Sequence, residues 1–390
     1  MTLPRPGARH DILLARRNIK MARSPHAYVR GNTAQYYEWL DAVPDHVLPE
    51  GPPIWICGDC HIGNLGPVAS ANGRVKMQIR DFDQTVIGNP AHDLIRLALS
   101  LATVARNSSL PGVVSVHMLE HMMGGYERAL HRGAGPDLPK PLLVERLVAG
   151  AVQRSWRELA RERIADERPG IPLGSNFWPL SKTERRAIEQ LFAAPELQAL
   201  VTRLKSREND ASVEVLDAAY WVKGCSSLGL NRYAVLVGVG GDEQCLIDVK
   251  EAVLAAAPRY ADAVMPRDNA KRVAEGARRL APALGKRMLA TRLLQRGVFI
   301  RELRPQDLKL DIERFNIKQA ERTAHYLAYV VGRAHARQMD RAGREAWRLE
   351  LARDRSKSLD TPAWLWASVV QLLAAHEGAY LEHCRRHAPR

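Results

Sequence analysis

The hydrophobic pattern of the chain changes at about residue 213. Before that point the periodicity is mostly helical, whereas the alternation in residues 213–252 predicts three strands, with glycines in the first connection and GGDEQ in the second. A helix is expected over residues 267–281, a strand pair around GVFIRELRP, and helices over 311–390. A small antiparallel sheet within a mainly helical chain indicates an α+β fold with two lobes.

The length of the chain also favours two lobes. With 390 residues, 46% of them hydrophobic, it can bury a large core, and single cores rarely grow past about 250–300 residues. We predict a helical lobe over residues 1–212 and a sheet lobe over 213–306. Residues 307–390 are expected to form helices that return to the helical lobe.

Prolines and glycines divide the predicted helical lobe. Residues 8–42 are expected to form two helical stretches broken at Ser24-Pro25, because proline ends or kinks a helix. The run PPIWIC predicts a strand, and the turn ANG leads into a hairpin of two short strands. The rest is predicted to be helical with two loops, namely residues 90–210 with loops at 131–141 and 168–179.

The charge of the chain is strongly positive. A net charge of +14 and a pI near 9.8 are compatible with a polyanionic partner. Acids alternate with the arginines at helical spacing in segments such as REAWRLELARDR, which is typical of solvated helix faces. Because no basic strand carries interleaved aromatics, nucleic-acid binding is the weaker alternative.

We expect a cytosolic protein. The longest uncharged stretch, residues 361–376, is shorter than the roughly 20 residues that span a bilayer, and no apolar leader is evident, so no membrane association is expected. Five cysteines in a long chain do not form the disulfide framework of a small secreted domain. The oligomeric state is unknown from the sequence.

The segment WICGDCHIGNLG, residues 55–66, carries the strongest chemical signal. Asp59 and Asn64 are five positions apart, and Asp81 opens DFD after the hairpin. In phosphotransferases of the kinase type, an aspartate accepts the proton of the acceptor hydroxyl and an asparagine five positions later holds a magnesium ion. A further aspartate holds the metals against the nucleotide phosphates. The spacing therefore predicts Asp59, Asn64 and Asp81 as catalytic residues.

The acidic residues of this region indicate a metal ion. Two like charges 4 Å apart repel by about 4 kcal/mol at an effective dielectric of about 20, so Asp59, Asp81 and Asp83 together favour a bound cation. Carboxylate and amide oxygens favour magnesium over zinc. We predict Asn64, Asp81 and Asp83 as Mg²⁺ ligands, although exposure to solvent would explain Asp83 equally well.

Two resemblances follow from these motifs. GDCHIGNLG and IRDFDQTVIGNPAHDLIRLA resemble the motifs of aminoglycoside phosphotransferase-like kinases, with Cys57 where those enzymes usually carry histidine. KMARSPHAYVRG, ICGDCHIGNLG, LGLNRYAVLVGV and GRAHAR are similar to the bacterial family of unknown function 2252, over nearly the whole chain. The first resemblance implies a two-lobed protein kinase-like fold that uses ATP and Mg²⁺.

In such a fold the nucleotide-binding lobe precedes the catalytic loop, but here too little chain precedes Asp59. The resemblance therefore implies a circularly permuted fold in which the sheet lobe binds the nucleotide, and permutation is tolerated where chain ends lie close together. KGCSSLG would cover the phosphates, Lys250 would contact them and Glu275 would orient Lys250. The predicted cofactor-binding residues are Gly224, Ser226, Ser227, Gly229, Lys250, Glu275, and, where FIRELRP meets adenine, Glu302 and Leu303.

Several of these residues have simpler explanations. KGCSSLG is explained equally well by a plain hairpin turn, and Lys250 and Glu275 by exposure on a strand and a helix. Asp93 is expected to cap a helix and brace the loop of Asp59. Lys20 and Arg30 would suit an anionic substrate or an ordinary surface helix.

The pair Cys57-Gly58-Asp59-Cys60 has the spacing of thioredoxin-like sites. Those sites place the first cysteine at a helix start within a βαβ unit, whereas a strand hairpin is expected here. Zinc binding is the weaker option, because no second paired-ligand motif exists. His61 is expected to hold the backbone of this loop.

The function that these features favour is an ATP- and magnesium-dependent phosphotransferase. Its partners would be the nucleotide and an unknown acceptor with a hydroxyl or amine group. Alternatives are a catalytically silent nucleotide-binding regulatory module, a nucleotidyl transferase and, less favoured, a basic nucleic-acid-binding protein.

Overall fold

The structure is a computed structural model of the 390-residue chain. It describes residues 4–70, 72–108, 110–132, 138–153, 170–202, 207, 211–241, 243–303, 316–353, 355 and 361–388. Parts of the predicted helices, including 154–169 and 311–315, and the segment Arg304–Pro305 lie outside these residues. The α+β class is confirmed by helices surrounding several antiparallel sheets.

The amino-terminal region forms three helices, where two helical stretches were predicted. The helices are α1 (Arg9–Met21), α2 (Pro25–Gly31) and α3 (Thr33–Asp41). The predicted break at Ser24-Pro25 is confirmed, since Pro25 begins α2 and the Ser24 side chain accepts from Ala27 N. The second break is at Asn32, whose side chain caps α3, and this cap was missed.

Four short strands frame two loops. They are β1 (Ile54–Ile56), β2 (Leu65–Ala69), β3 (Val75–Ile79) and β4 (Val86–Gly88). β2 and β3 form the predicted hairpin, and β1 pairs antiparallel with β4. Because Ile56 lies opposite Val86, residues 57–64 and 80–85 leave the same end of that pair. This pairing brings the Asp59 and Asp81 loops together.

The helical core packs around these strands. Its helices are α4 (Pro90–Asn107), α5 (Val113–Arg132) and α6 (Leu142–Gln153). α5 lies along a later helix, and a Cβ at Gly125 would meet the His325 carbonyl oxygen at 2.0 Å, so only glycine permits this approach. The carboxyl-terminal helices of this core are α11 (Ile317–Ala336), α12 (Arg341–Leu351) and α13 (Ala363–His387), numbered after the sheet helices below.

A six-stranded antiparallel sheet contains the predicted strands. The order is β5-β6-β7-β8-β10-β9, and each neighbouring pair is antiparallel. The strands are β5 (Phe177–Trp178), β6 (Val213–Trp221), β7 (Arg232–Val239), β8 (Glu243–Glu251), β9 (Met288–Leu293) and β10 (Arg296–Leu303). The three strands from residue 213 and the later pair are confirmed; β5, with two residues, was not predicted.

Four helices accompany the sheet. α7 (Lys182–Phe192) and α8 (Pro195–Thr202) pack on it, α9 (Asn269–Leu280) connects β8 to β9, and α10 (Pro282–Gly285) follows α9. The helix predicted over 267–281 is therefore confirmed. Since β5, α7 and α8 belong to the sheet unit, that unit begins before residue 213, the predicted boundary. None of the described helices has the length and apolar character needed to cross a membrane.

Candidate active site

A cleft of about 880 Å³ lies between the two strand-end loops and the six-stranded sheet. Lys250 lies beside Asp81, on the rim of this cleft, whereas Glu275 and Glu302 form ion pairs elsewhere. Gly229 ends the predicted glycine loop without lining the cleft. Most of the predicted site residues do line it, namely Asp59, Asn64, Asp81, Gly224, Ser226, Ser227 and Leu303.

The loop of Asp59 is held rigidly by its own backbone. Gly58 has a φ of +75°, and a Cβ there would meet the Gln84 carbonyl oxygen at 2.1 Å, so only glycine fits. The Asn64 side chain donates to the Asp59 carbonyl oxygen at 2.8 Å. The Tyr37 hydroxyl donates to the Gly58 carbonyl oxygen. These contacts fix the direction in which the Asp59 carboxylate points.

Asp93 braces the same loop, as predicted, but does not cap its helix. Its carboxylate accepts from the backbone N–H of Cys57 at 2.7 Å and of Gly58 at 2.9 Å. The cap of α4 is Asn89, whose side chain accepts from Ala91 N. Asp93 lies one turn later, where its carboxylate faces the loop, so the capping part of the prediction was wrong.

A buried chain of hydrogen bonds supports Asp93 from behind. The Trp347 Nε1–H donates to the Tyr126 hydroxyl at 3.0 Å, and that hydroxyl lies 2.9 Å from His335 Nδ1. His335 Nε2 lies 3.1 Å from Asp93 Oδ2. If the proton of His335 is on Nε2, each donor in this series of hydrogen bonds faces an acceptor. α5, α11 and α12 therefore position the Asp59 loop through Asp93.

Asp59 is nearly buried and already paired. One carboxylate oxygen accepts from Arg96 Nε at 2.8 Å, and the other from the Thr33 hydroxyl at 3.1 Å. Burial raises the pKa of Asp59, and the Arg96 guanidinium opposes the rise. With 9% of its surface exposed, Asp59 still lines the cleft. A carboxylate in this setting can orient a hydroxyl group and accept its proton.

Asp81, Asp83 and Lys250 meet where the loop after β3 reaches the six-stranded sheet. Lys250 Nζ, from β8, donates to Asp83 Oδ2 and lies 3.8 Å from Asp81 Oδ1. Burial opposes ionisation of Asp81, but Lys250, Arg301 and Arg232 outweigh it and lower the pKa of Asp81. Burial and the charge of Asp81 raise the pKa of Asp83. Two carboxylates thus share one ammonium group.

Only one of the two carboxylate oxygens of Asp83 bonds to Lys250. Its Oδ1 is buried and has no hydrogen-bond partner among the described residues. A buried carboxylate oxygen without a partner is costly, and a cation would satisfy it. No cluster of three or more His, Cys, Asp or Glu side chains suited to a metal occurs within the described residues. Any ion here would therefore take its remaining ligands from water or from a bound phosphate.

Two arginines beside Lys250 were not predicted from the sequence. Arg232 donates from Nε and Nη2 to the two oxygens of Asp248, at 2.8 and 2.5 Å. Arg301 Nε donates to the same carboxylate at 3.2 Å. These arginines lower the pKa of Asp248 against the effect of burial. Both arginines line the cleft. Because the two guanidinium groups share the single carboxylate of Asp248, this group of residues has a net charge of +1.

The segment KGCSSLG forms a turn over the cleft. Gly224 and Gly229 have φ of +105° and +104°, a conformation that favours glycine. Ser227 is nearly buried, and Ser226 is exposed. Lys20 Nζ donates to the Gly224 carbonyl oxygen at 2.6 Å and so ties the turn to α1.

Glu275 does not orient Lys250. Its carboxylate pairs with Arg278 at 3.3 Å and Arg279 at 2.9 Å, both on the exposed side of α9. Arg272, one turn earlier on α9, does reach the loop of Asp81, and its guanidinium donates to the carbonyl oxygens of Thr85, Asp83 and Val253. The prediction failed because the spacing of α9 does not show which of its polar residues faces inward.

Replacing Arg272 by methionine should lower the free energy of unfolding by about 2 kcal/mol, because three carbonyl groups lose their donor. The matched change Glu275→Gln should alter it by less than about 0.5 kcal/mol, because it removes only exposed ion pairs. Urea unfolding of both variants measures the difference. Equal stability of the two would contradict the inward role of Arg272.

Glu302 does not meet the cleft either. On β10, Arg301 and Leu303 face the cleft and Glu302 faces the other way, toward Arg207 Nη2 at 3.0 Å. The Glu302 carbonyl oxygen accepts from Arg287 at 3.1 Å. Of the two residues predicted to meet adenine, only Leu303 lines the cleft, and the rest of that segment, Arg304 and Pro305, lies outside the described residues.

The two loop cysteines are buried and protonated. Hydrogen bonding to Cys60 and burial raise the pKa of the Cys57 thiol well above its ordinary value. Cys57 and Cys60 are 1% and 0% exposed. A reactive cysteine needs access and a lowered pKa, so this arrangement does not favour thiol chemistry. His61 lines the cleft, and its Nε2 lies 3.8 Å from Asp59.

Comparison with known proteins identifies a family but no reaction. The model of a family described as "Uncharacterized protein conserved in bacteria (DUF2252)" matches residues 9–386. The resemblance of the motifs to that family is confirmed, and nothing in the comparison supports the resemblance to aminoglycoside phosphotransferases. Neither the curated proteins nor the solved structures searched gave a match.

Proposed function

We propose a function from the residues of the cleft, because the chain belongs to this uncharacterised bacterial family, whose description names no reaction. The proposed reaction is the transfer of a phosphoryl group from ATP, with Mg²⁺, to the hydroxyl or amine group of an acceptor. The observation that carries the proposal is the meeting of Lys250, from the sheet, with Asp81 and Asp83, from the helical core, at the edge of the cleft that Asp59 and Asn64 line. Phosphoryl transfer needs this combination of groups.

The carboxylates fit a magnesium ion. Asp81 and the partnerless Asp83 Oδ1 would supply two oxygens, and the Asn64 amide is a further candidate. Magnesium sites typically use one or two carboxylates together with water and substrate phosphates, which agrees with the absence of a larger ligand cluster among the described residues. When bound, the ion neutralises phosphate charge.

Each residue of the candidate site has a distinct role in this proposal. The Asp59 carboxylate aligns the acceptor hydroxyl and takes its proton as the oxygen attacks the terminal phosphorus, and ADP leaves with the electrons of the broken bond. Lys250 and the excess charge of Arg232 and Arg301 stabilise the phosphates. The turn of Gly224 covers them with backbone N–H groups, and Leu303 offers an apolar contact for the base.

We also propose that the architecture is a permuted kinase-like fold. The strand with Lys250 is followed by a helix and a strand pair, and the loops of Asp59 and Asp81 follow strands of the other lobe. The final helix, α13, packs against α1, α2 and α4, so the first and last helices belong to one body. Such proximity makes a changed chain order tolerable.

A nucleotide-binding module without transfer activity is the second candidate. One observation favours it: both oxygens of Asp59 already accept hydrogen bonds, from Arg96 and Thr33. These hydrogen bonds oppose the rise in pKa that burial causes, and they occupy the oxygens that an acceptor hydroxyl would approach. The two candidates share the nucleotide site and differ in turnover.

ATP with Mg²⁺ is expected to raise the melting temperature of the full chain by about 3 °C at a hundredfold excess over its Kd. Asp81→Asn should remove the magnesium-dependent part of that rise, because the variant lacks a metal-binding charge. Differential scanning calorimetry with and without the metal measures both effects. Asp262→Asn, an exposed change elsewhere, is the control. A magnesium effect that survives in Asp81→Asn contradicts the assignment of the metal ligand.

A further inference from the structure

The charge balance of the cleft exceeds what a nucleotide site requires. Eight lysine and arginine residues line it, against the carboxylates of Asp59 and Asp81. ATP with one magnesium ion carries about two net negative charges. Arg232 and Arg301 carry one positive charge in excess of Asp248, and Lys250, which Asp81 and Asp83 share, places a further cation beside the proposed phosphate site. Six other cations line the cleft, and three of them form a second set on α1, on α2 and in the connection between these helices: Lys20, Arg30 and Arg23.

This second set lies on the Asp59 side of the cleft. A Cβ at Gly63 would meet Arg30 Cζ and Nε at 3.0 Å, so the guanidinium of Arg30 lies against the loop that carries Asp59. Arg96 joins the same regions, because it donates to Asp59 Oδ1 and, at 2.6 Å, to the carbonyl oxygen of Val29, the neighbour of Arg30. The end of α2 is therefore adjacent to the proposed proton acceptor.

The side chain of Arg30 has a hydrogen-bond donor that a ligand could use. Its Nε is buried without a hydrogen-bond partner among the described residues. The nearby His26 adds no charge to the site, since burial, followed by Arg30 and Arg96, lowers its pKa to about 4 and leaves it neutral. Arg23 is exposed at the cleft, and Lys20 uses one donor on Gly224. An anion with several oxygens would satisfy these groups.

We propose that the acceptor is a small molecule bearing a phosphate group, which binds Arg30, Arg23 and Lys20 while its hydroxyl or amine faces Asp59. The proposal rests on the proposed phosphotransferase function and names the class of its second substrate. Three cations suit a dianion better than a carboxylate, and a cationic acceptor such as an amino sugar would be repelled.

Isothermal titration of the full chain, saturated with magnesium and a non-hydrolysable ATP analogue, tests the proposal. The analogue fills the terminal-phosphate position, so added inorganic phosphate reports on the second site. At constant ionic strength we expect phosphate to bind, acetate to bind roughly tenfold more weakly, and Arg30→Gln to raise the phosphate Kd about tenfold. Arg23→Gln, a change at an exposed position, should raise it by a smaller factor.

The control Arg186→Gln removes the same charge from an exposed position on α7 and should leave the phosphate Kd unchanged. Absence of phosphate binding, or phosphate binding unaffected by both cleft variants, overturns the inference while leaving the nucleotide site intact. Acetate binding as tightly as phosphate also overturns it. Failure of the ATP analogue to bind overturns the proposed function instead. Phosphate binding is then measured in the nucleotide-free chain, and a dependence on Arg30 still supports an anion site.

Discussion

Asp59→Asn is expected to lower the turnover of magnesium ATP by about 10³-fold while changing the nucleotide Kd by less than about twofold. Asparagine keeps the size of the side chain and an oxygen that can accept from Arg96, so the loop should keep its shape. It cannot take a proton from the acceptor. The loss corresponds to about 4 kcal/mol of transition-state stabilisation.

Release of ADP by the full chain, with water or the chain itself as acceptor, measures this turnover. Thr33→Val is the matched variant, because it removes one hydrogen bond to Asp59 and keeps the carboxylate. We expect it to change turnover by less than about tenfold. If Asp59→Asn turns over ATP as fast as the original chain, Asp59 is not the proton acceptor. If neither chain turns over ATP but both bind it, the silent nucleotide-binding module is favoured.

The pH dependence of turnover gives an independent check. Burial raises the pKa of Asp59 above its ordinary value, and the acid must be ionised to accept a proton. Turnover of the original chain should therefore rise with pH through an acidic pKa above that of an ordinary aspartate and then reach a plateau. Asp59→Asn should lack this rise, which is read from rates measured across the acidic range.

Local patterns in the sequence predicted much of the fold. The strands from Val213 to Glu251 and the helix α9 follow from periodicity that each segment carries by itself. β5 has two residues and no periodicity to detect, so only its pairing with β6 defines it. The break between α2 and α3 was missed because the cap at Asn32 is a single residue without a proline.

The same distinction between local patterns and distant contacts applies to the residues of the candidate site. Asp59 and Asn64 were predictable as neighbours because they share one short loop, and Asp81 because the local β2–β3 hairpin returns the chain toward that loop. Partners that come from distant elements were not predictable. Asp83, and not Glu275, bonds to Lys250, and Arg96 reaches Asp59 from α4. Only the packing of elements decides which of several charged residues meet.

Asp248→Asn is expected to destabilise the chain by about 3 kcal/mol at neutral pH, because it removes the buried carboxylate that pairs with the nearly buried Arg232 and with its neighbour Arg301. Burial raises the pKa of Asp248, but the two arginines outweigh it and hold that pKa well below its ordinary value. A carboxyl group with a depressed pKa in the folded state contributes stability above its unfolded pKa, about 3.9, and loses it as the pH falls below that value.

The difference in unfolding free energy between the original chain and Asp248→Asn should therefore stay constant from about pH 8 to pH 5 and shrink below about pH 4. Urea unfolding across this range measures it. Glu243→Gln is the control on the same strand, because it breaks an ion pair whose carboxylate is 49% exposed and should change stability by less than about 0.5 kcal/mol. A difference that does not narrow in acid would mean that the charge of Asp248 is not what holds the two arginines in the cleft.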